Sequence, residues 1–127
     1  MTLTTGVNTD VLMRFNSDSG TNYSQHYLYG TGAAASSGGA ASQTYAPLGI
    51  EGGTSAPGVA VCDVLDYKNT SKYKTVRSLS GDDQNGSGYL FMYSSAWLNT
   101  NAISSITITP GAGVFNQYSS FALYGVK

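Results

Sequence analysis

From Gly58 the chain reads Gly58-Val59-Ala60-Val61-Cys62-Asp63-Val64-Leu65-Asp66-Tyr67, the one place where apolar residues stand side by side. In a strand, Val59 and Val61 point to one face and Ala60, Cys62 and Val64 to the other. Both faces then need cover, and the strand is expected at the centre of a sheet. A buried helix could carry the same run, but Pro57 and Gly58 bound it at roughly ten residues and β-branched valines fill it, which favours a strand.

The other apolar segments alternate, and they read as half-buried strands laid around this one. Residues 1–9 are polar and read as an edge strand or a loose arm. Asp10 to Asn16 places Val11, Met13 and Phe15 on one face; a polar turn follows, and from Asn22 to Gly30 the tyrosines Tyr23, Tyr27 and Tyr29 share a face. Such a face is either half-buried packing or a contact surface. Residues 30–44 are a run of Gly, Ala and Ser with nothing large to bury, and read as a long exposed loop. A short strand through Leu48 and Ile50 belongs at a sheet edge, because Pro47 removes a ladder donor.

Tyr73 to Leu79 and Gly88 to Tyr93 are strands joined by a hairpin whose Asn85-Gly86 tolerates positive φ, and Trp97 lies just past the second. Ile103 to Thr109 is a strand with Ile103 out of phase, so that Ser104-Ser105 reads as a bulge. Pro110-Gly111 then suits a turn. Ser119 to Val126 closes the chain as a strand, with Phe121 and Leu123 on its inner face. About eight strands with turns every 8 to 12 residues describe an all-β fold, an antiparallel jelly-roll-like β-sandwich. Its expected core is Phe15, Val59, Val61, Val64, Leu65, Ile106, Ile108, Phe121 and Leu123.

A chain of 127 residues makes one domain, large enough to bury roughly two thirds of its unfolded surface. Charged residues are 10% of it, against roughly 25% in an average domain, so its surface is solvated by hydroxyls and amides. A net charge of −1 gives no field for nucleic acid or an anionic membrane. No signal peptide is expected, since residues 1–10 have neither a basic start nor an apolar run, and no window approaches the roughly 20 apolar residues of a membrane span. Cys62, the one cysteine, has no internal disulfide partner and reads as a buried, inert thiol.

The inventory for chemistry is thin. His26 is the one histidine, so no histidine pair or cluster exists to hold a metal. Asp63 and Asp66, three apart on a strand, face opposite ways and do not make an acid/base pair; strand-end solvation or pairing with Lys72 and Lys74 is the plain reading. Asn16-Ser17-Asp18-Ser19-Gly20 faintly resembles a calcium loop but lacks its later ligands, and an ordinary turn fits better. Asp82, Asp83 and Asn85 form a second oxygen-rich turn. Lys68, Lys72, Lys74 and Arg77 cluster beside Tyr67 and Tyr73, which suits a solvated edge or a salt-bridged seam better than a nucleic-acid face. No cofactor, metal site or catalytic residue is expected.

Three stretches carry a resemblance. They are Arg14-Phe15-Asn16-Ser17-Asp18-Ser19-Gly20-Thr21-Asn22-Tyr23, then Val64-Leu65-Asp66-Tyr67 with Tyr73-Lys74-Thr75-Val76-Arg77-Ser78-Leu79-Ser80-Gly81, and the ending from Ile103-Ser104-Ser105-Ile106-Thr107-Ile108 to Tyr118-Ser119-Ser120-Phe121-Ala122-Leu123-Tyr124-Gly125-Val126-Lys127. Together the chain resembles a group of tailed-phage virion proteins common in phages of marine and fresh water. The resemblance implies a non-enzymatic β-sandwich on the particle surface, either decorating or cementing the capsid or standing in the tail or a fibre. Such proteins carry further strand sequence ahead of the part matching Asp10, so the first strand is expected to be short, absent or borrowed.

The functional expectation is a virion structural protein working through repeated contacts with other virion proteins and with its own copies, a trimer above all. The alternative is a tail-fibre module that contacts host-surface glycan through Tyr23, Tyr27, Tyr29 and Trp97.

Overall fold

The computed structural model describes residues 10–50, 52 and 56–126. Eight strands run in the order β1 (Asp10–Phe15), β2 (Tyr23–Gly30), β3 (Ala35–Gln43), β4 (Ala46–Ile50), β5 (Val59–Leu65), β6 (Lys74–Asp83), β7 (Gly88–Trp97) and β8 (Ile106–Pro110). They form a sandwich of two antiparallel sheets, a small one in the order β4-β1-β8 and a large one in the order β3-β2-β7-β6-β5. β1 pairs with β8 and β2 with β7, the two outer pairings of a jelly roll, but the nesting stops there: β3 lies beside β2, β4 beside β1, and β5 and β6 form a hairpin. The arm or edge strand expected over residues 1–9 lies outside the described residues.

The core sits where the alternation of β1 meets the end of the large sheet. Val11, Met13 and Phe15 are buried, and Phe15 packs against Trp97 and Tyr23 with ring centroids 5.6 and 6.3 Å apart. Ala46, Val76 and Trp97 complete the cluster, with Val64, Ile103 and Ile106 packed partly buried against it. Each aromatic hydrogen-bonding group in this region has a partner. The Tyr23 hydroxyl accepts from Phe15 N–H at 3.0 Å and donates to the Asp18 carbonyl at 3.1 Å, while the Trp97 indole donates to Asp18 Oδ2 at 2.7 Å. Asp18 also accepts from Gly20 N–H and the Asn22 amide, so both carboxylate oxygens serve the turn.

β6 turns its polar alternate inward: Lys74, Ser78, Ser80 and Asp82 are buried together with Val76. The reason is the close approach of β4. A Cβ on Gly49 would stand 2.7 Å from Ser80 Cβ and 2.9 Å from Ala60 Cβ, so nothing larger than glycine opposite serine and alanine fits. The same serines satisfy backbone groups of β4: Ser78 Oγ donates to the Pro47 carbonyl at 3.3 Å, and Ser80 Oγ accepts from Ile50 N–H at 3.2 Å.

Five expectations are corrected. β5 is an edge strand, not a central one, and only Ala60, Cys62 and Val64 face the small sheet. Val59, Val61 and Leu65 are exposed, because among the described residues no second layer covers the outer face of the large sheet. The Gly/Ala/Ser run is β3, paired along β2 from Gly30↔Ala35 to Tyr23↔Gln43. Its small residues make room for β2 side chains, since a Cβ on Gly38 would lie 2.5 Å from the Tyr27 hydroxyl and one on Gly39 2.8 Å from the His26 ring. The segment Ser119 to Val126 has no regular structure, and Phe121 and Leu123 are exposed rather than in the core. Alternation specifies two faces, but a strand exists only where a neighbour supplies its hydrogen bonds.

Finally, Ser104-Ser105 lies in an irregular segment ahead of β8, clamped by Asn16, rather than in a bulge. Asn16, at φ 52°, donates its side-chain amide to the Ala102 carbonyl at 2.9 Å and accepts from Ser104 N–H at 2.8 Å and Ser105 N–H at 3.2 Å. The Asn85-Gly86 hairpin has φ 58° and 102°, as its turn chemistry requires, and Pro47 lies on edge strand β4.

Candidate functional site

Among the described residues the small sheet is two strands narrower than the large one and leaves part of the large sheet's inner face uncovered. Along β2 the inner residues are Tyr23, Gln25, Tyr27 and Tyr29, and across the register on β7 stand Trp97, Ser95, Tyr93 and Phe91. One end of this double row is the core. The other end is a cleft of about 360 Å³ roofed by Asp10 and Ile50 and floored by Gln25 and the aromatic rows.

The rings in the cleft form a ladder. Tyr29 stacks on Phe91 at 4.9 Å and 15°, and Phe91 on Tyr93 at 5.2 Å and 5°, with Tyr27 and Tyr89 tilted against them. Side chains at cross-strand positions of one sheet face lie close enough to stack in this way, and each pair adds to the stability of the sheet. Tyr27 leans over Gly38 of β3, which is where the small residues of that strand matter.

Three polar groups punctuate this surface. Asp10 Oδ1 accepts from the Tyr93 hydroxyl at 2.9 Å, and Tyr45 also hydrogen-bonds this carboxylate. Burial holds the Asp10 carboxyl above its ordinary value despite those two donors, and burial with the charge of Asp10 raises the Tyr93 and Tyr45 hydroxyls. Gln25 and Ser95 are cross-strand partners, both buried, and Gln25 Oε1 and Ser95 Oγ have no hydrogen-bond partner. An unpaired buried polar atom costs about 1–3 kcal/mol.

The four residues expected to form one contact surface divide in two. Tyr27 and Tyr29 line the cleft, half-buried. Tyr23 and Trp97 are fully buried core residues and offer no contact surface; Trp97 is the last residue of β7, inside the alternation rather than beyond it. Tyr89, Phe91, Tyr93, Asp10 and Gln25 join them in the lining, and no motif in the sequence marks these five. The alternation of β7 places Tyr89, Phe91 and Tyr93 on one face, but only the β2–β7 register sets that face against Tyr27 and Tyr29.

The basic cluster does not assemble. Lys74 is buried with its ammonium donating to the Lys72 and Thr100 carbonyls at 2.8 and 3.0 Å, Arg77 pairs with Asp63 at 2.8 Å, and Lys68 stands 5.7 Å from the centre of the Tyr67 ring. Asp63 thus finds Arg77 rather than Lys72 or Lys74. His26 is exposed on the outer face between Ser94 and Gly39. Among the described residues no three His, Cys, Asp or Glu side chains come together as a metal site.

A second surface lies on the other side of the large sheet. The register aligns Leu28 with Met92, Met92 with Leu79 and Leu79 with Val61, a row of four apolar side chains crossing β2, β7, β6 and β5. Leu90 and Val59 flank it in the neighbouring row, with Gly30 and Gly81 between and beside them. These six are 48 to 67% exposed. On the opposite flank, His26, Ser94, Arg77 and Asp63 form a polar row.

Comparison with known protein families, curated proteins and solved structures yields no match to this chain.

Proposed function

We propose that this protein is a non-enzymatic virion structural protein that decorates or cements the particle surface, binding copies of itself and neighbouring virion proteins. The observation that carries this reading is the apolar row on the outer face of the large sheet. Leu28, Met92, Leu79 and Val61 with Leu90 and Val59 amount to on the order of 600 Å² of contiguous apolar surface, at the upper end of what monomers expose. Burying it against an equal face reaches about 1,200 Å², the size at which specific protein interfaces begin. The Arg77–Asp63 pair and His26 give that face a polar rim.

The C-terminal segment adds a second contact element. Tyr118, Leu123, Tyr124 and Val126 are 83 to 89% exposed, large side chains that a neighbouring chain can cover. A surface with so few charges to repel neighbours suits repeated packing on a particle, and contacts of this kind need no catalytic group.

Sedimentation of the full chain at micromolar concentration, with and without the shell protein of the particle, tests the reading. Association is expected in at least one of the two mixtures, and the mass gives the copy number, the trimer included. The double variant Leu79→Asp, Met92→Lys, which sets opposite charges across the pair, should keep the melting temperature and lose the association. A compact monomer that ignores the shell protein overturns the proposal.

A further inference from the structure

We infer that residues 120–126 of one copy add as a strand to the free edge of β5 in a second copy, so that the large sheet continues from chain to chain. This rests on the self-association proposed above and names the segment and the edge through which it runs.

The donor is a strand sequence without a strand's hydrogen bonds. Ser120-Phe121-Ala122-Leu123-Tyr124-Gly125-Val126 places Phe121 and Leu123 on one alternate and Ala122, Tyr124 and Val126 on the other. Residues 120–126 have no regular structure and make no backbone hydrogen bond among the described residues. Phe121 meets the Phe115 ring at 5.1 Å, while Leu123, Tyr124 and Val126 stand exposed. A segment of this pattern is satisfied by a neighbour that offers both a hydrogen-bond ladder and apolar side chains on its two faces.

Comparison of the sheet edges selects the acceptor. Among the described residues the edge strands are β3, β4, β5 and β8. β4 and β8 are only five residues long and carry Pro47 and Pro110, and proline guards an edge by removing a ladder donor. β3 is longer but consists of Gly, Ala, Ser and Gln, with nothing large for a partner to cover. β5 has seven residues, the length of the donor segment, and no proline. Its side chains are apolar on both faces, with Val59, Val61 and Leu65 exposed outside and Ala60, Cys62 and Val64 half-buried inside. The one charge on it, Asp63, is paired with Arg77, so nothing repels a neutral strand. Natural proteins cover an edge of this kind.

The partner is a second copy because every copy carries one donor and one acceptor of equal length, and among the described residues the two are not paired with each other. The chain leaves β8 at the far edge of the small sheet, with β1 between it and β4, the strand that packs on β5. Addition at β5 also lengthens the outer apolar row, which ends there at Val61, by one alternate of the incoming strand. Donor and acceptor are different patches, so the contact is head-to-tail and closes into a ring.

The test is hydrogen exchange of the full chain, read by mass spectrometry below and above the concentration at which sedimentation shows association. Amides of residues 59–65 and 120–126 should exchange at least roughly tenfold more slowly in the assembly than in the monomer. Successive N–H groups point to opposite sides of a strand, and Ala122 and Gly125 lie on opposite alternates. One of the variants Ala122→Pro and Gly125→Pro therefore removes a ladder donor whichever side is paired. Both positions are exposed, so at least one variant should weaken association by roughly tenfold or more while melting as the parent does. Unchanged association in both variants, or an assembly in which residues 120–126 exchange as fast as in the monomer, overturns the strand addition and leaves the outer-face association standing. Protection of both segments in a monomer, where the chain closes its own edge, also overturns it, as does protection gained only with the shell protein. A full chain that stays monomeric at every concentration overturns it too, and the mixture with the shell protein then decides the proposed function separately.

Discussion

The indole N–H of Trp97 donates to Asp18 Oδ2 at 2.7 Å, tying the last residue of β7 to the turn between β1 and β2 across 79 positions of sequence. Through Tyr23, whose hydroxyl donates to the carbonyl of the same Asp18, this turn is bonded to both of the aromatic side chains that pack on Phe15. Asp18→Ala leaves a buried indole donor unpaired, and urea unfolding should show a loss of about 1–3 kcal/mol.

Asp18 and Asp10 should respond to pH with opposite signs. Burial alone would raise the Asp18 carboxyl, but hydrogen bonds from Trp97, Asn22 and Gly20 outweigh it and hold the group below 3.8. Its stabilisation is therefore complete above that value and lost as pH falls through the lower folded-state pKa. Asp10 is raised above 3.8 by burial, so its favourable contribution exists at low pH and disappears as pH rises through the raised value. Urea unfolding at pH 7 should show Asp18→Asn destabilised and Asp10→Asn as stable as the parent or more so. Both differences should shrink at about pH 3, and an Asp10→Asn variant weakened at pH 7 would contradict the assignment.

Val61 and Val76 are both strand valines, yet aspartate should be tolerated at only one of them. Val61 is 67% exposed on the outer face and Val76 is 1% exposed in the core. Val61→Asp should change the unfolding free energy by no more than about 0.5 kcal/mol, whereas Val76→Asp buries an unpaired charge at a cost of several kcal/mol. Melting curves of the two variants decide this directly.

At Gly49 the two sheets approach closely, with room for no Cβ. Gly49→Ala drives a methyl group against Ser80 and Ala60 and should cost about 1–3 kcal/mol, while Gly125→Ala, with nothing within 4 Å, should be silent. Equal stability of the two variants would place the inter-sheet contact elsewhere.

Cys62 faces the small sheet, half-buried, and burial with the neighbouring Asp63 charge pushes its thiol up to about 11 from 9.0. A shift of that size lowers the thiolate fraction near neutral pH by roughly a hundredfold. Labelling of the native protein by a thiol reagent at about pH 8 should accordingly be far slower than labelling in urea, and comparable rates would rule out a protected thiol.

Local chemistry sufficed for much of this architecture. Alternation in Val11-Met13-Phe15 and in Tyr23-Tyr27-Tyr29 defines the inner faces of β1 and β2, Asn85-Gly86 defines a hairpin, and Pro47 defines an edge, because each depends on the residue's own stereochemistry or its nearest neighbours along the chain. The position of a strand within a sheet has no such local signature. The Val59 to Leu65 run offers two apolar faces, but which of them is covered depends on how many strands the opposite sheet brings, and here three face five. β3 is legible only from its partner, since Gly38 and Gly39 are small on account of Tyr27 and His26 on β2. The same holds for the cleft. Tyr27 and Tyr29 announce an aromatic face, but it took the pairing of β2 with β7 to set Phe91 against Tyr29, to bring Asp10 to Tyr93, and to leave Gln25 and Ser95 buried side by side without partners. A sequence records which groups need a neighbour; the packing of sheet on sheet decides which neighbour each one meets, because the free energy of burial belongs to the pair and not to either residue alone.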